Sequence, residues 1–254
     1  MGIYAVTGSA SGIGAAITRQ LQAAGNEVIT IDIRDADIVA DLSDPAMCQA
    51  VIEQVEQRAP EGLDGLVPCA GVGPETPDIT LVAKINYFAS VDLVNGLRPA
   101  LEKKQGAVVL ISSNSSRMME YNQDYIEALL SGDRERGIEA VQAVDGQTAY
   151  GAGKQALARW MRRNNQDFAR AGVRMNAVAP GYTETAMTAS GRDSEEYGDA
   201  IRAFVESIPI GRPGRAEDQA NAVTFLLSDR ASFVSGSVLY VDGGHDAVFR
   251  PDQY

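Results

Sequence analysis

Short runs of consecutive apolar residues alternate along the chain with longer stretches in which apolar positions recur every three or four residues. The runs "IYAV" (3–6), "EVITI" (27–31), "DGLVPC" (64–69), "AVVLIS" (107–112), "VRMNAVA" (173–179) and "SVLYVDG" (237–243) predict strands. Helical spacing predicts an amphipathic helix from Ile13 to Ala24 and further helices over about 45–58, 79–103, 150–171 and 216–228. Nearly all-apolar strands alternating with helices predict an α/β fold: one doubly wound domain over residues 1–254, with a central parallel sheet and helices on both faces. No linker divides it.

Residues 116–147 break this rhythm. Ile126, Leu129, Leu130, Ile138, Val141 and Val144 keep helical spacing, and "SGD" (131–133) interrupts it. The apolar faces favour a short helical insertion of two helices over a mobile acidic loop.

Composition narrows the function classes. The chain has 254 residues, 45% hydrophobic and 22% charged, which suits a globular protein with a sizeable core. A net charge of −12 argues against nucleic acid and against an anionic membrane surface. Two cysteines, Cys48 and Cys69, are too few for a disulfide framework and fit a reducing cytoplasm. "MGIYAVTG" lacks the basic region and long apolar stretch of a signal peptide, and no apolar run reaches the ~18 residues of a membrane span. The single histidine, His245, excludes a His-rich metal site.

"TGSASGIG" (7–14) follows the first strand and opens the first helix. Gly8 makes a tight turn, and Gly12 and Gly14 lack the Cβ that would hold a pyrophosphate away from the backbone and the positive helix N-terminus. Asp32 closes the second strand, 18 residues after Gly14. An acid at that distance accepts hydrogen bonds from the adenosine ribose and repels a 2′-phosphate, so NAD is expected rather than NADP. Arg34 is the counter-argument, since an arginine can hold that phosphate, and a strand-end cap is the plain alternative for Asp32. In "TAYGAGK" (148–154), Tyr150 and Lys154 share one helix face. Many inert helices carry such a pair, and a free phenol ionises only near pH 10.

Together with "CAGVG" (69–73), "INY" (85–87), "ISS" (111–113), "NAVAPGYTET" (176–185) and "DGG" (242–244), these motifs resemble the short-chain dehydrogenase/reductase family over the entire chain. That family has a Rossmann fold. "DIRDADIVADLSD" (32–44), the tail "VDGGHDAVFRP" (241–251) and the long segment before the tyrosine are similar to the bacterial 3α-hydroxysteroid dehydrogenase/carbonyl reductases. One departure is Cys69-Ala70-Gly71 where the family usually has Asn-Ala-Gly; Cys69 is expected to be a small core residue.

The resemblance implies roles. Tyr150 is the general acid for ketone reduction and the base for alcohol oxidation. Lys154 and the positive nicotinamide favour tyrosinate, and Lys154 holds the nicotinamide ribose. Ser113 polarises the carbonyl. Ser112 and Ser115 compete for that place, and strand alternation separates neighbours without saying which face is active. Asn86 holds a water that links the lysine to solvent, or is a helix-interior asparagine bonded to backbone. Gly8, Ser11, Gly12, Ile13, Asp32, Asp41, Leu42, Ala70, Gly71, Lys154, Thr183 and Thr185 are the implied cofactor-binding positions. Residues 186–210 are expected to form a substrate lid. Met118, Met119 and Met187 are expected to be packing residues more than recognition residues.

The expected activity is NAD-dependent interconversion of secondary alcohols and ketones, as a 3α-hydroxysteroid dehydrogenase/carbonyl reductase. The alternatives are a reductase of aromatic or cyclic non-steroid ketones, a related dehydratase or epimerase, and an idle NAD-binding regulator. The expected partner is a small-molecule ketone or secondary alcohol. The insertion implies a homodimer through the last helix and last strand, because it obstructs the interface next to the Tyr/Lys helix. Ser113 must also meet Tyr150 across the 36 residues between them, 114–149.

Overall fold

The computed structural model describes residues 1–188 and 198–253. Strand β1 (Ile3–Thr7) leads into helix α1 (Gly12–Ala23), then β2 (Glu27–Asp32), β3 (Ile38–Val39), α2 (Pro45–Arg58) and β4 (Gly65–Val67). Helices α3 (Thr80–Ala83), α4 (Ser90–Gly96) and α5 (Arg98–Lys104) precede β5 (Ala107–Ile111). Then come α6 (Gln123–Leu130), α7 (Arg134–Val141), α8 (Gly146–Arg170), β6 (Arg174–Pro180) and β7 (Thr183–Glu184). The chain ends with α9 (Gly198–Glu206), β8 (Gly214–Arg215), α10 (Ala216–Leu227), β9 (Val238–Val241) and α11 (His245–Phe249).

Seven strands form one parallel sheet in the order β3-β2-β1-β4-β5-β6-β9. Successive residues of one strand feed different cores, as the period of two demands. In β5, Val108 and Leu110 join the core under α2, α4 and α8, while Ala107, Val109 and Ile111 join the core under α1 and α10. Both faces are therefore covered, and the strands are apolar throughout for that reason. The order reverses between β1 and β4, so their carboxyl ends splay apart into a crevice, the usual place for a ligand in such sheets.

Two expectations shift. The helix read over 79–103 is interrupted: a π-helical turn, Lys84–Ala89, separates α3 from α4, and Pro99 restarts the helix as α5. The helix read from 150 begins at Gly146, because the Asp145 carboxylate caps the Thr148 N–H at 3.0 Å. Tyr150 thereby sits inside the first turns of a 25-residue helix. Within the inserted segment, Asn122 and Asp133 cap α6 and α7, and Ile126, Leu129 and Val141 are buried, with α6 packed on α8. Of the expected lid, residues 189–197 lie outside the described residues; α9 lies within it. Among the described residues no helix is long and apolar enough to cross a membrane.

Candidate active site

The crevice opens where β1 ends. Gly8 and Gly12 have positive φ values of +65° and +53°, a conformation in which a side chain is strained. A Cβ on Gly8 would lie 2.9 Å from the Ala70 backbone, and one on Gly14 only 2.1 Å from the Gly8 carbonyl. These glycines let the turn, the helix start and the β4 loop close on one another. Thr7, which the motif reading passed over, fastens them: its Oγ1 accepts from the Cys69 and Ala70 N–H groups at 3.0 and 2.9 Å. At the start of α1 the Ser11 side chain makes no capping bond, so it does not compete for the N–H groups of the first turn.

A cavity of about 340 Å³ runs from this turn to Tyr150. All of the expected cofactor positions line it: Gly8, Ser11, Gly12, Ile13, Asp32, Asp41, Leu42, Ala70, Gly71, Lys154, Thr183 and Thr185. Asp32 uses Oδ2 to accept from the Ala10 N–H at 2.9 Å and Oδ1 to accept from Ile33 at 2.7 Å. It therefore braces the glycine turn, and the remaining lone pairs of its two oxygens can still accept from a ribose. Ala40, which follows the two-residue β3, also lines the cavity; a strand that short has no periodicity to read. The Thr185 methyl lies 3.4 Å from where a Gly12 Cβ would be, so the segment after β7 faces the glycine turn.

At the inner end, Ser113, Tyr150 and Lys154 meet. Ser113 and Tyr150 line the same ends of two adjoining cavities, so the chain leaves at 114 and returns at 149 to the same spot. Burial pushes the phenol above its ordinary value, and the Ser113 hydroxyl works against that rise. Lys154 is buried, and its Nζ donates to the Ile111 carbonyl at 2.8 Å. That burial lowers the ammonium to about 8. The Nζ lies 5.8 Å from the Tyr150 ring centroid. The lysine is expected to lower the tyrosine; in the folded chain desolvation is the largest influence on the phenol, and the opposing one comes from Ser113.

Asn86 lies on the π-helical turn, fully buried. Its Oδ1 accepts from the Val72 N–H at 2.8 Å and its Nδ2 donates to the Val72 carbonyl at 3.0 Å. The side chain thus pins the β4 loop, and the Oδ1 lies 3.0 Å from where a Gly71 Cβ would be. Cys69 packs against the core under α1 and α10, as expected, and also lines the cavity; burial raises its thiol to about 12, which leaves it inert.

A second cavity of about 350 Å³ begins at Ser113 and Tyr150 and runs outward under α9. Met118, Met119 and Met187 all line it, with Tyr121, Ile201 and Phe204, so the methionines face a pocket and are not simply packing. Flexible thioethers suit bulky apolar rings of varied shape.

Two family models match the chain: short chain dehydrogenase over residues 3–125 and Enoyl-(Acyl carrier protein) reductase over 137–246. The chain is 39% identical, over 100% of both chains, to the 3-alpha-hydroxysteroid dehydrogenase/carbonyl reductase of Comamonas testosteroni. It is 31% identical, over 97% of each, to a cis-4-hydroxycyclohexanecarboxylate dehydrogenase of Sinomonas cyclohexanicum. Among solved structures it is similar to a Pseudomonas 3-alpha-hydroxysteroid dehydrogenase complexed with NADH: TM-score 0.95, 42% identity, covering 99% of this chain and 100% of that one.

Proposed function

The chain belongs to the short-chain dehydrogenase/reductase family, and on that premise we propose that it is an NAD-dependent oxidoreductase interconverting secondary alcohols and ketones, acting as a 3α-hydroxysteroid dehydrogenase/carbonyl reductase. The observation that carries this reading is the junction of the two cavities: Ser113 and Tyr150 stand where a nucleotide-sized crevice meets an apolar pocket, with Lys154 on the crevice side. The glycine cradle and Asp32 fit a dinucleotide whose adenosine ribose is unphosphorylated. When bound, the nicotinamide accepts or supplies the hydride.

The chain's residues perform the rest. Ser113 donates a hydrogen bond to the substrate oxygen and fixes it beside Tyr150. Tyr150 delivers a proton to that oxygen during reduction and removes it during oxidation. Its burial makes the neutral phenol the resting form, which suits reduction; oxidation depends on positive charge brought to its side. Lys154, held by Ile111, presents its ammonium to the ribose side of the crevice. Asn86 keeps the β4 loop at the height where Gly71 faces the same space. The methionine-lined pocket receives the bulk of the ketone.

The test is loss of NADH absorbance against a panel of steroid and smaller cyclic ketones. Ser113→Ala and Tyr150→Phe should each lower kcat by about 10²–10⁴. Intact turnover in either variant defeats the assignment. Turnover of cyclic or aromatic ketones without any steroid would favour the alternative reading, a non-steroid ketone reductase, which the 31% identity to a cyclohexane-carboxylate dehydrogenase supports.

We also place the protein in the cytoplasm as a homodimer. β9 is an edge strand of the sheet, and Leu239, Phe225, Phe233, Val248 and Phe249 on it and around it leave apolar surface exposed. Light scattering should give about twice the 27.0 kDa chain mass; a stable tetramer would overturn the dimer.

A further inference from the structure

Three serines follow β5, and each has a different partner. The Ser112 hydroxyl donates to the Lys154 carbonyl at 3.0 Å, tying strand to helix within the core. Ser113 Oγ accepts twice from Ser115: from its N–H at 3.2 Å and from its O–H at 2.9 Å. A serine oxygen has two acceptor lone pairs and one hydrogen. With both lone pairs taken, the function left to the Ser113 hydroxyl is to donate. The turn that carries this arrangement is itself held. Tyr121 Oη donates to the Ser115 carbonyl at 2.5 Å, and Gln155, next to Lys154 on α8, donates to the Ser116 carbonyl at 2.6 Å. Ser115 is thus fixed through its backbone while it lines the second cavity.

We propose that Ser115 is a positioning residue for the reaction: by occupying the Ser113 oxygen, its hydroxyl turns the Ser113 hydrogen toward the reacting carbonyl. This rests on the oxidoreductase reading above. A hydroxyl with a free lone pair divides its time among orientations, and a hydroxyl that already accepts is held in one. Accepting a hydrogen bond also makes the Ser113 O–H a stronger donor, since bonded hydroxyls polarise one another. The effect acts through Ser113, so removing Ser115's hydroxyl leaves the reacting groups in place and weakens their alignment.

The experiment uses the Ser115→Ala and Ser115→Thr variants of the full chain. Ketone reduction is measured with NADH, and alcohol oxidation with NAD across pH. Ser115→Ala should lower kcat about three- to tenfold, the size of one neutral hydrogen bond, with KM changed less than about twofold. Its kcat profile for oxidation should also move: the acid limb shifts to higher pH, because a weaker Ser113 donor polarises the bound alcohol less, and that hydroxyl then stabilises tyrosinate less. Ser115→Thr keeps the hydroxyl and should restore both. A purely structural role would change the melting temperature and leave the acid limb unmoved. Wild-type kcat and profile in Ser115→Ala would overturn the proposal, as would equal losses in the two variants. Failure of the wild-type protein to turn over any ketone would instead strike the oxidoreductase reading.

Discussion

Gly151, the residue after the tyrosine in "YGAGK", leaves no room on α8 for one added methyl group. A Cβ there would lie 2.1 Å from Tyr121 Oη, 2.3 Å from its Cζ and 2.7 Å from its Cε1. Ordinary contact begins at 3.4 Å, so in Gly151→Ala the Tyr121 hydroxyl must retreat by 3.4 − 2.1 = 1.3 Å. Its bond to the Ser115 carbonyl is 2.5 Å long and cannot survive that retreat. The lost bond costs about 1 kcal/mol, and overpacking costs about 1–3 kcal/mol. Alanine's better helix propensity returns up to ~1 kcal/mol. The net is a destabilisation of about 2 kcal/mol, or a fall in Tm of roughly 4–8 °C for a chain of this size. Release of the Ser113–Ser115 turn should also lower kcat/KM by about 10- to 100-fold, since misplacement by an ångström costs that much. Calorimetry and steady-state assays measure the two effects. The control is Tyr121→Ala: without the ring, adding Gly151→Ala should be neutral or raise Tm by a few degrees. That change of sign identifies the contact as the cause. A single Gly151→Ala variant with raised Tm and unaltered kcat/KM would refute the reasoning.

Three further outcomes follow from the same geometry. Asp32→Ala removes the carboxylate that repels a 2′-phosphate, so NADPH should gain at least tenfold relative to NADH in kcat/KM; an unchanged ratio counts against the ribose role. Gly14→Ala would set a Cβ 2.1 Å from the Gly8 carbonyl, backbone against side chain with nothing flexible to yield, and the protein should fail to fold or lose NADH-dependent stabilisation in a melt. His245 is buried between Phe204 and Phe249, its Nε2 at 2.9 Å from Ser207 Oγ and its Nδ1 without a hydrogen-bond partner among the described residues. Burial lowers its pKa, while Asp242 opposes the shift. The neutral ring's contribution is therefore complete above the ordinary pKa near 6.5 and is lost as pH falls through the lower folded value. Tm should drop on acidification below that range, and His245→Gln should flatten this part of the curve; identical curves would remove the histidine from the explanation.

Much of the fold was legible because its signals are local. Apolar runs set the strands, and the glycine spacing of residues 8–14 announced a phosphate-sized turn at a helix start. The acid at 32 was recognisable by its distance from that turn. Elements that depend on distant partners were not legible. The π-helical turn at Lys84–Ala89 carries Asn86, whose side chain is bonded to Val72, and no periodicity within 79–103 records that link. β7 and β8 are two-residue strands that exist only because they pair with each other. The early start of α8 depends on Asp145, a cap that lies outside the apolar pattern.

By itself the sequence determined the doubly wound architecture and the nucleotide end of the crevice, since each rests on residue type and short-range spacing; the three residues at its inner end were pointed to by the family resemblance. Tertiary structure alone decided what those residues do to one another. Burial, not the nearby lysine, dominates Tyr150, because desolvation depends on everything packed around the phenol. Folding separates the three serines: the Ser112 hydroxyl is turned to the Lys154 carbonyl, 42 positions away, while Ser113 and Ser115 line the second cavity. Nothing in the local pattern around Gly151 marks it as the space that Tyr121, 30 positions earlier, needs to reach Ser115.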